Sequence, residues 1–399
     1  MLRTLPPAGH PLRLRDVFST IKGSREDGNF LEEWFPDIPL YPVSSGSAAL
    51  TLSLLSLKAI SKRTEVILPA YTCPSLVASV VKAGLTPVLC DLRPFSFQLD
   101  IKELSSKIGP NTLAVMAVHL FGIAENLAEI SALTKPQGIF IVEDAAQSFG
   151  NKIDGEDSIY MGLGGDLSVL SFGRGKPLSL QSGGVVIVNN ANLDESVRSA
   201  YRDLKEPNPW LFLPKYFLLL IIYSIFFHPR THWVPKSLPW LRLGETFFNL
   251  DFNVNKLGPK VLDLGNILFD KFNTIRTIRI ELAMLYKKEL EKFREAFEYL
   301  PDCKGDDIAL LRFPVVFKSK EIRDRILEML EKKGLGATGS YPAPLNEIEG
   351  IDGYLNNIEN YPNAKRTSER IMTLPLHEFV KIKDVEFISE IIDGCLYLK

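Results

Sequence analysis

Between Ser44 and Val188, helix-like and strand-like stretches alternate, and the strand-like ones are short and apolar. That rhythm restricts the chain to an α/β fold: a mostly parallel sheet with helices on its faces. Ser45-Gly46-Ser47 opens an apolar, serine-rich helix over Ala48 to Ala59. Val66 to Leu68 reads as a strand, Val77 to Ala83 as a helix and Thr86 to Cys90 as the next strand. Thr112 to Val118 reads as a buried strand and Asn126 to Leu133 as a helix. Gly138 to Val142 then reads as a strand that delivers Glu143 and Asp144 to its carboxyl end. Open α/β sheets bind their ligands at such ends, so the loops there are the expected site.

The remaining length predicts a second, smaller region. We place an N-terminal region and large domain over residues 1–250, with an apolar insertion at 209–230, and a connecting helix and smaller α+β domain over 251–399. Within the latter, Asn253 to Phe297 has long helical character. Ile308 to Phe317 reads as a strand, Glu321 to Lys333 as a helix, Arg370 to Leu374 as a strand and Val385 to Ile392 as a final helix. Tyr341-Pro342-Ala343-Pro344 and Gly350 to Pro362 read as loops, because proline and glycine interrupt regular hydrogen bonding. A net charge of -2 provides no general field for nucleic acid. Cys73, Cys90, Cys303 and Cys395 are scattered without a CxxC pair. With no long apolar signal at the N-terminus, this predicts a reducing cytoplasm and no zinc cluster.

Chemistry concentrates around one lysine. Lys176 ends Ser171-Phe172-Gly173-Arg174-Gly175-Lys176, stands 32 residues after Asp144, and is followed by Ser182-Gly183-Gly184 and an apolar strand. This order suits a lysine held as a Schiff base on pyridoxal phosphate, with a carboxylate for the pyridine nitrogen. Each part alone has a plainer meaning. A single lysine is usually a surface residue, a Glu-Asp pair a strand end, and Ser45-Gly46-Ser47 an ordinary helix entrance. Gly162-Leu163-Gly164-Gly165 lacks the strand-to-helix context of a dinucleotide site and reads as a turn.

The landmarks extend further: Ser45-Gly46-Ser47-Ala48-Ala49-Leu50, Leu68-Pro69-Ala70-Tyr71-Thr72, Val118-His119-Leu120-Phe121-Gly122, Glu143-Asp144-Ala145-Ala146-Gln147, Gly165-Asp166-Leu167-Ser168, Ser171-Phe172 with Lys176, and Ser182-Gly183-Gly184-Val185-Val186. In this order they closely resemble the DegT/DnrJ/EryC1/StrS family of sugar aminotransferases. The resemblance implies a fold-type I enzyme with a large, mostly parallel seven-stranded sheet and a smaller C-terminal α+β domain. It implies pyridoxal 5'-phosphate as cofactor, a homodimer with composite sites, glutamate or a similar amino donor, and a nucleotide-linked keto sugar as acceptor. Lys176 and Asp144 would be catalytic. Ser47, Ala48 and Ser171 would hold the phosphate, Gln147 would reach the phenolic oxygen, and His119 would stand at the site or make a structural hydrogen bond. Asn253 or Asn255 is the nearest match to a polar residue borrowed from the neighbouring subunit. Lysine at 176, where the family's sugar-dehydrating variants have histidine, favours transamination. Other readings are a polyol-like or lipid-linked carbonyl substrate, or a noncatalytic structural or regulatory dimer.

Two departures stand out. Relatives commonly carry a ring-stacking aromatic where this chain has Cys73, so either the thiol makes a smaller contact or Tyr71 supplies the wall; we prefer the thiol. Trp210 to Phe227 is dominated by Phe, Leu, Ile and Tyr. The uncharged run from Tyr216 to Phe227 is short for a membrane-spanning helix, and the segment lacks the charged face of a membrane-surface helix. Core or dimer packing is the preferred reading, ahead of peripheral membrane attachment and an apolar substrate lid.

Overall fold

The computed structural model describes residues 3–23, 29–153, 159–238, 246–303, 308–356 and 359–397. The larger region is built on β1 (Leu40–Val43), β2 (Glu65–Pro69), β3 (Thr86–Cys90), β4 (Thr112–Val118), β5 (Phe140–Asp144), the short pair β6 (Lys152–Ile153) and β7 (Ile159–Tyr160), β8 (Leu167–Ser171) and β9 (Gly184–Val188). Seven of these form one sheet in the order β1-β9-β8-β5-β4-β2-β3. Only β9 runs against the rest, pairing antiparallel with both β1 and β8. β4, β8 and β9 are buried along their whole length. Covered on both faces, they read as continuous apolar runs rather than alternating ones.

The strand expected over Gly138 to Val142 lies over Phe140–Asp144. Gly138 takes a left-handed φ of 62° that ends the preceding turn, so the extended run starts after it. The Gly46–Ala59 helix is buried from Ala48 to Leu57, Leu55 partly, despite its serines. Ser53 and Ser56 return their hydroxyls to the carbonyls of Ala49 and Leu52, which satisfies them without water.

The stretch of long helical character expected from Asn253 carries two helices, Val261–Phe269 and Phe272–Glu291. Upstream, Asn255 pairs with Lys205 and Lys256 with Val43 in isolated bridges, which ties this stretch to the sheet edge. Pro259 and the left-handed Lys260, with φ 67°, delay the helix start. The smaller region carries β10 (Phe297–Tyr299), β11 (Arg312–Phe317) and β12 (Ile371–Pro375) in one antiparallel sheet, with the Lys320–Lys332 and Ile382–Tyr397 helices. Packing passes from one region to the other along the Phe272–Glu291 helix. Phe272 joins the apolar cluster of the large domain, whereas Leu282, Tyr286 and Leu290 join that of the small one. Leu5 also packs in the small-domain core, and Arg3 bonds Asp384, so the N-terminal segment reaches across.

The apolar insertion forms a helix, Pro209–Phe226, that is neither fully buried nor free. Tyr216, Leu220 and Tyr223 face the core, while Trp210 is 88% exposed. The buried stripe is held by polar tips: Tyr216 donates to Leu180 O at 3.0 Å and Tyr223 to His10 O at 2.9 Å.

Candidate active site

The carboxyl ends of β4, β5 and β8 meet the N-terminal end of β9, where adjacent residues of β5 do opposite things. Glu143 is fully buried, and its carboxylate accepts from His119 Nε2 at 2.7 Å, from the N–H groups of Gly162, Gly164 and Gly165 at 2.5, 2.8 and 2.8 Å, and from Ser168 Oγ at 3.1 Å. Burial works against its charge, but the hydrogen bonds from His119 and the glycine turn outweigh it and hold the pKa below the ordinary glutamate range. The glycine-rich stretch is therefore a turn wrapped round a carboxylate.

Asp144, also buried, has one protein donor among the described residues, the Ala146 N–H at 3.0 Å. Burial pushes its pKa up, opposed chiefly by the positive charge of Lys176. The predicted pair is thus brought together, although Lys176 and Asp144 arrive on different elements.

His119 is completely buried, and both ring nitrogens are spent inside the protein. Nδ1 accepts the Glu125 N–H at 3.0 Å, so the ring proton sits on Nε2, pointing at Glu143. Neither nitrogen is left for a cofactor; His119 orders the strand ends.

At the neighbouring helix start, Ser45 caps Gly46–Ala59 by accepting the Ala48 N–H at 3.1 Å. Ala48 therefore has no N–H to offer, and the first-turn donors that remain are those of Gly46 and Ser47. A Cβ added to Gly46 would lie 2.8 Å from Ser171 Oγ, so helix start and Ser171 converge as expected. A Cβ on Gly184 would meet Ser45 O at 2.4 Å, so glycine there allows β9 to pass behind this turn. Asn253 and Asn255 reach the same corner through their main chain: Ser44 Oγ donates to Asn253 O at 3.1 Å and Ser44 N to Asn255 O at 2.9 Å.

Gln147 accepts the Phe121 N–H through Oε1 at 3.1 Å and turns its amide nitrogen to the Tyr341 hydroxyl at 3.3 Å. Cys73 is half-buried and accepts from Ser75 Oγ at 3.0 Å. Tyr71 is buried, its hydroxyl donating to Tyr341 O at 3.3 Å and its ring edge-on to that of Tyr341 at 5.7 Å. Burial, reinforced by Cys73, Tyr71 and Asp144, raises the Tyr341 pKa well above the ordinary tyrosine range. Tyr341 is thus the aromatic that the small domain inserts beside Cys73, and sequence reading had placed it only in a loop. Arg312 was also missed. Burial lowers its pKa to about 10, Tyr341 and Tyr71 opposing the shift, and its Nε has no hydrogen-bond partner among the described residues. The proline punctuation at Tyr341-Pro342-Ala343-Pro344 was a local signal; the 194-residue separation from Gln147 was not readable.

These groups fit pyridoxal phosphate. A buried carboxylate short of donors suits a protonated pyridine nitrogen, a lysine stands within its field, and a glycine-bounded corner presents backbone N–H groups and a serine to a phosphate.

Comparison with known proteins agrees. The family model described as the DegT/DnrJ/EryC1/StrS aminotransferase family matches residues 41–204 and 263–393. The GDP-perosamine synthase of Escherichia coli O157:H7 is 36% identical over 151 residues, 38% of this chain and only 40% of that relative's length. The UDP-2-acetamido-2-deoxy-3-oxo-D-glucuronate aminotransferase of Pseudomonas aeruginosa is 31% identical over 346 residues, covering 86% of this chain and 83% of the relative. The fold is shared with the putative sugar aminotransferase Spr1654 from Streptococcus pneumoniae in its PMP form, at a TM-score of 0.77 and 18% identity over 98% of both chains. The unmatched gap in the family model contains the whole Pro209–Phe226 helix, while every strand-end residue described above lies inside the matched parts except Asn253 and Asn255. The chain belongs to the DegT/DnrJ/EryC1/StrS aminotransferase family.

Proposed function

We propose that this chain is a pyridoxal-phosphate-dependent aminotransferase that moves an amino group from glutamate or a similar donor to a keto sugar carried on a nucleotide, acting as a cytoplasmic homodimer. The observation that carries this reading is the under-satisfied Asp144 set against Lys176. Relatives whose names specify GDP- and UDP-linked sugars support the acceptor class.

Bound here, pyridoxal phosphate supplies a ring that withdraws the electrons left when a substrate Cα–H bond breaks. The chain supplies the rest. Asp144 would set its carboxylate against the ring nitrogen. Lys176 Nζ would take up and hold the substrate Cα proton, the work of a positioned general base. Gly46, Ser47 and Ser171 would hold the phosphate, and Gln147 Nε2 would donate to the phenolic oxygen. Arg312, cationic and without a partner for Nε, is the group we assign to the donor's carboxylate.

The test pairs amino donors with nucleotide-linked keto sugars and identifies products by mass. The expected result is an aminated nucleotide sugar formed at the expense of glutamate. Amination of simple keto acids alone would refute the acceptor assignment, and no response to any donor by cofactor-loaded protein would refute the activity.

A further inference from the structure

Two neighbouring helices leave apolar stripes uncovered. On Pro209–Phe226, helical periodicity puts Leu211, Lys215, Leu218, Ile222 and Ile225 along one side, opposite the buried Tyr216, Leu220 and Tyr223. The four apolar members are 65%, 58%, 44% and 43% exposed in that order. The Leu14–Lys22 helix packs beside it and shows the same pattern one turn apart. Its Leu14, Phe18 and Ile21 are 45%, 57% and 48% exposed.

The exposed charges on the two helices themselves have one sign. From Pro207 to Gly244 the sequence contains no Asp or Glu, in a chain whose net charge is -2. Lys215, Arg230 and Lys236 are exposed there. Arg13, Arg15 and Lys22 are exposed on and beside the first helix, whose one acid, Asp16, is buried against Lys271 at 2.6 Å. Trp210 stands at one end of the long helix, and Trp233, 44% exposed, lies just beyond the other. An apolar stripe bracketed by indoles, with cations on and beside its helices, matches the layers of an anionic bilayer surface, with hydrocarbon below and headgroups around. Lys215, inside the stripe, has a stem long enough to carry its ammonium back to the headgroups.

The geometry points to a lipid surface as the occupant of this face: the two helices lie in the plane of a membrane bearing anionic headgroups. The long helix has the length and composition to cross a bilayer. Its inner face nevertheless stays in the protein, because Tyr216 and Tyr223 are bonded to Leu180 and His10. His10 in turn accepts the Ser179 N–H at 2.8 Å. The membrane seat therefore lies directly behind the segment that follows Lys176.

The experiment uses the full chain loaded with cofactor, sedimented with vesicles of phosphatidylcholine plus phosphatidylserine and with phosphatidylcholine alone. Binding is expected to the mixed vesicles and to weaken as salt rises. The triple variant Phe18→Gln/Leu218→Gln/Ile222→Gln should raise the apparent Kd about a hundredfold, with the unfolding midpoint little lowered because all three residues are already about half exposed. Lys215→Gln/Arg230→Gln/Lys236→Gln should erase most of the anionic preference, again about a hundredfold. As a readout independent of those variants, indole emission should shift to the blue with mixed vesicles, and the shift should vanish in Trp210→Phe/Trp233→Phe. Absence of vesicle binding by the unmodified chain overturns the inference, as does binding indifferent to the apolar substitutions. Conversion of a dimer to monomers by the same apolar variant would assign the stripe to a second copy and overturn it equally.

Discussion

The pocket around Glu143 and the pocket around Asp144 are separated by one peptide unit and by opposite faces of β5. Both carboxylates are buried. One is surrounded by a histidine, three backbone N–H groups and a serine; the other has one backbone N–H and the field of a lysine. A buried charge whose hydrogen bonds are complete is part of the framework, whereas one left short of donors is a place where a cationic group of a ligand belongs. Burial alone would not have separated their roles. The number and kind of donors does.

Lys176→Ala should have the largest effect on this contrast. It removes the group proposed as both covalent anchor and base, so borohydride trapping of the cofactor should disappear and transamination should fall by about 10^4-fold or more. Trapping on another lysine would displace the site. Asp144→Asn should follow, with the half-reaction slowed on the order of 10^2- to 10^3-fold and no loss of folding stability, since it removes an under-compensated buried charge. Half-reaction rates equal to those of the unmodified chain would end the proposed role of Asp144.

Glu143→Gln is expected to do the reverse and destabilise the fold by about 3 kcal/mol, measured by denaturant unfolding, because it strands His119 and the glycine N–H groups. If stability did not change, the framework reading of Glu143 would be wrong.

The same contrast has a pH signature. The folded pKa of Glu143 is depressed, so its stabilisation is present above the unfolded glutamate pKa and is lost as pH falls through the folded value. The folded pKa of Asp144 is raised, so its contribution is present below the unfolded aspartate pKa and is lost as pH rises through the folded value. Acid unfolding curves should therefore flatten in Glu143→Gln, while Asp144→Asn should steepen the rise of stability with pH. Identical slopes in the two variants would erase the distinction. The smallest effect is expected from Tyr341→Phe, which takes one hydroxyl from Gln147 and should lower kcat/KM by about fivefold. A drop as large as that of Asp144→Asn would make Tyr341 part of the proton-transfer machinery.

Much of the fold was legible locally. β3 and β4 fall where composition placed them, because an apolar, β-branched run bounded by turn residues carries its own signal. The start of β5 was misplaced by two residues because the left-handed Gly138 belongs to the turn before it. The Ser45 cap on Ala48 is a local rule that could have been applied to the sequence, and it removes Ala48 from the phosphate donors. By contrast, the insertion of Tyr341 beside Cys73 joins residues far apart in the chain, and no periodicity records such a meeting.

Sequence alone determined the alternation that makes a parallel sheet, the delivery of Glu143 and Asp144 to a strand end, and the order that sets Lys176 after them. These rest on interactions between near neighbours along the chain, which composition and spacing express directly. Tertiary structure alone decided which of two adjacent acids is satisfied, that both nitrogens of His119 are consumed by the framework, and which side of Pro209–Phe226 stays uncovered. The reason is physical. Whether a polar group is paired, or an apolar face is removed from water, depends on what other segments bring to it, and those segments are distant in sequence.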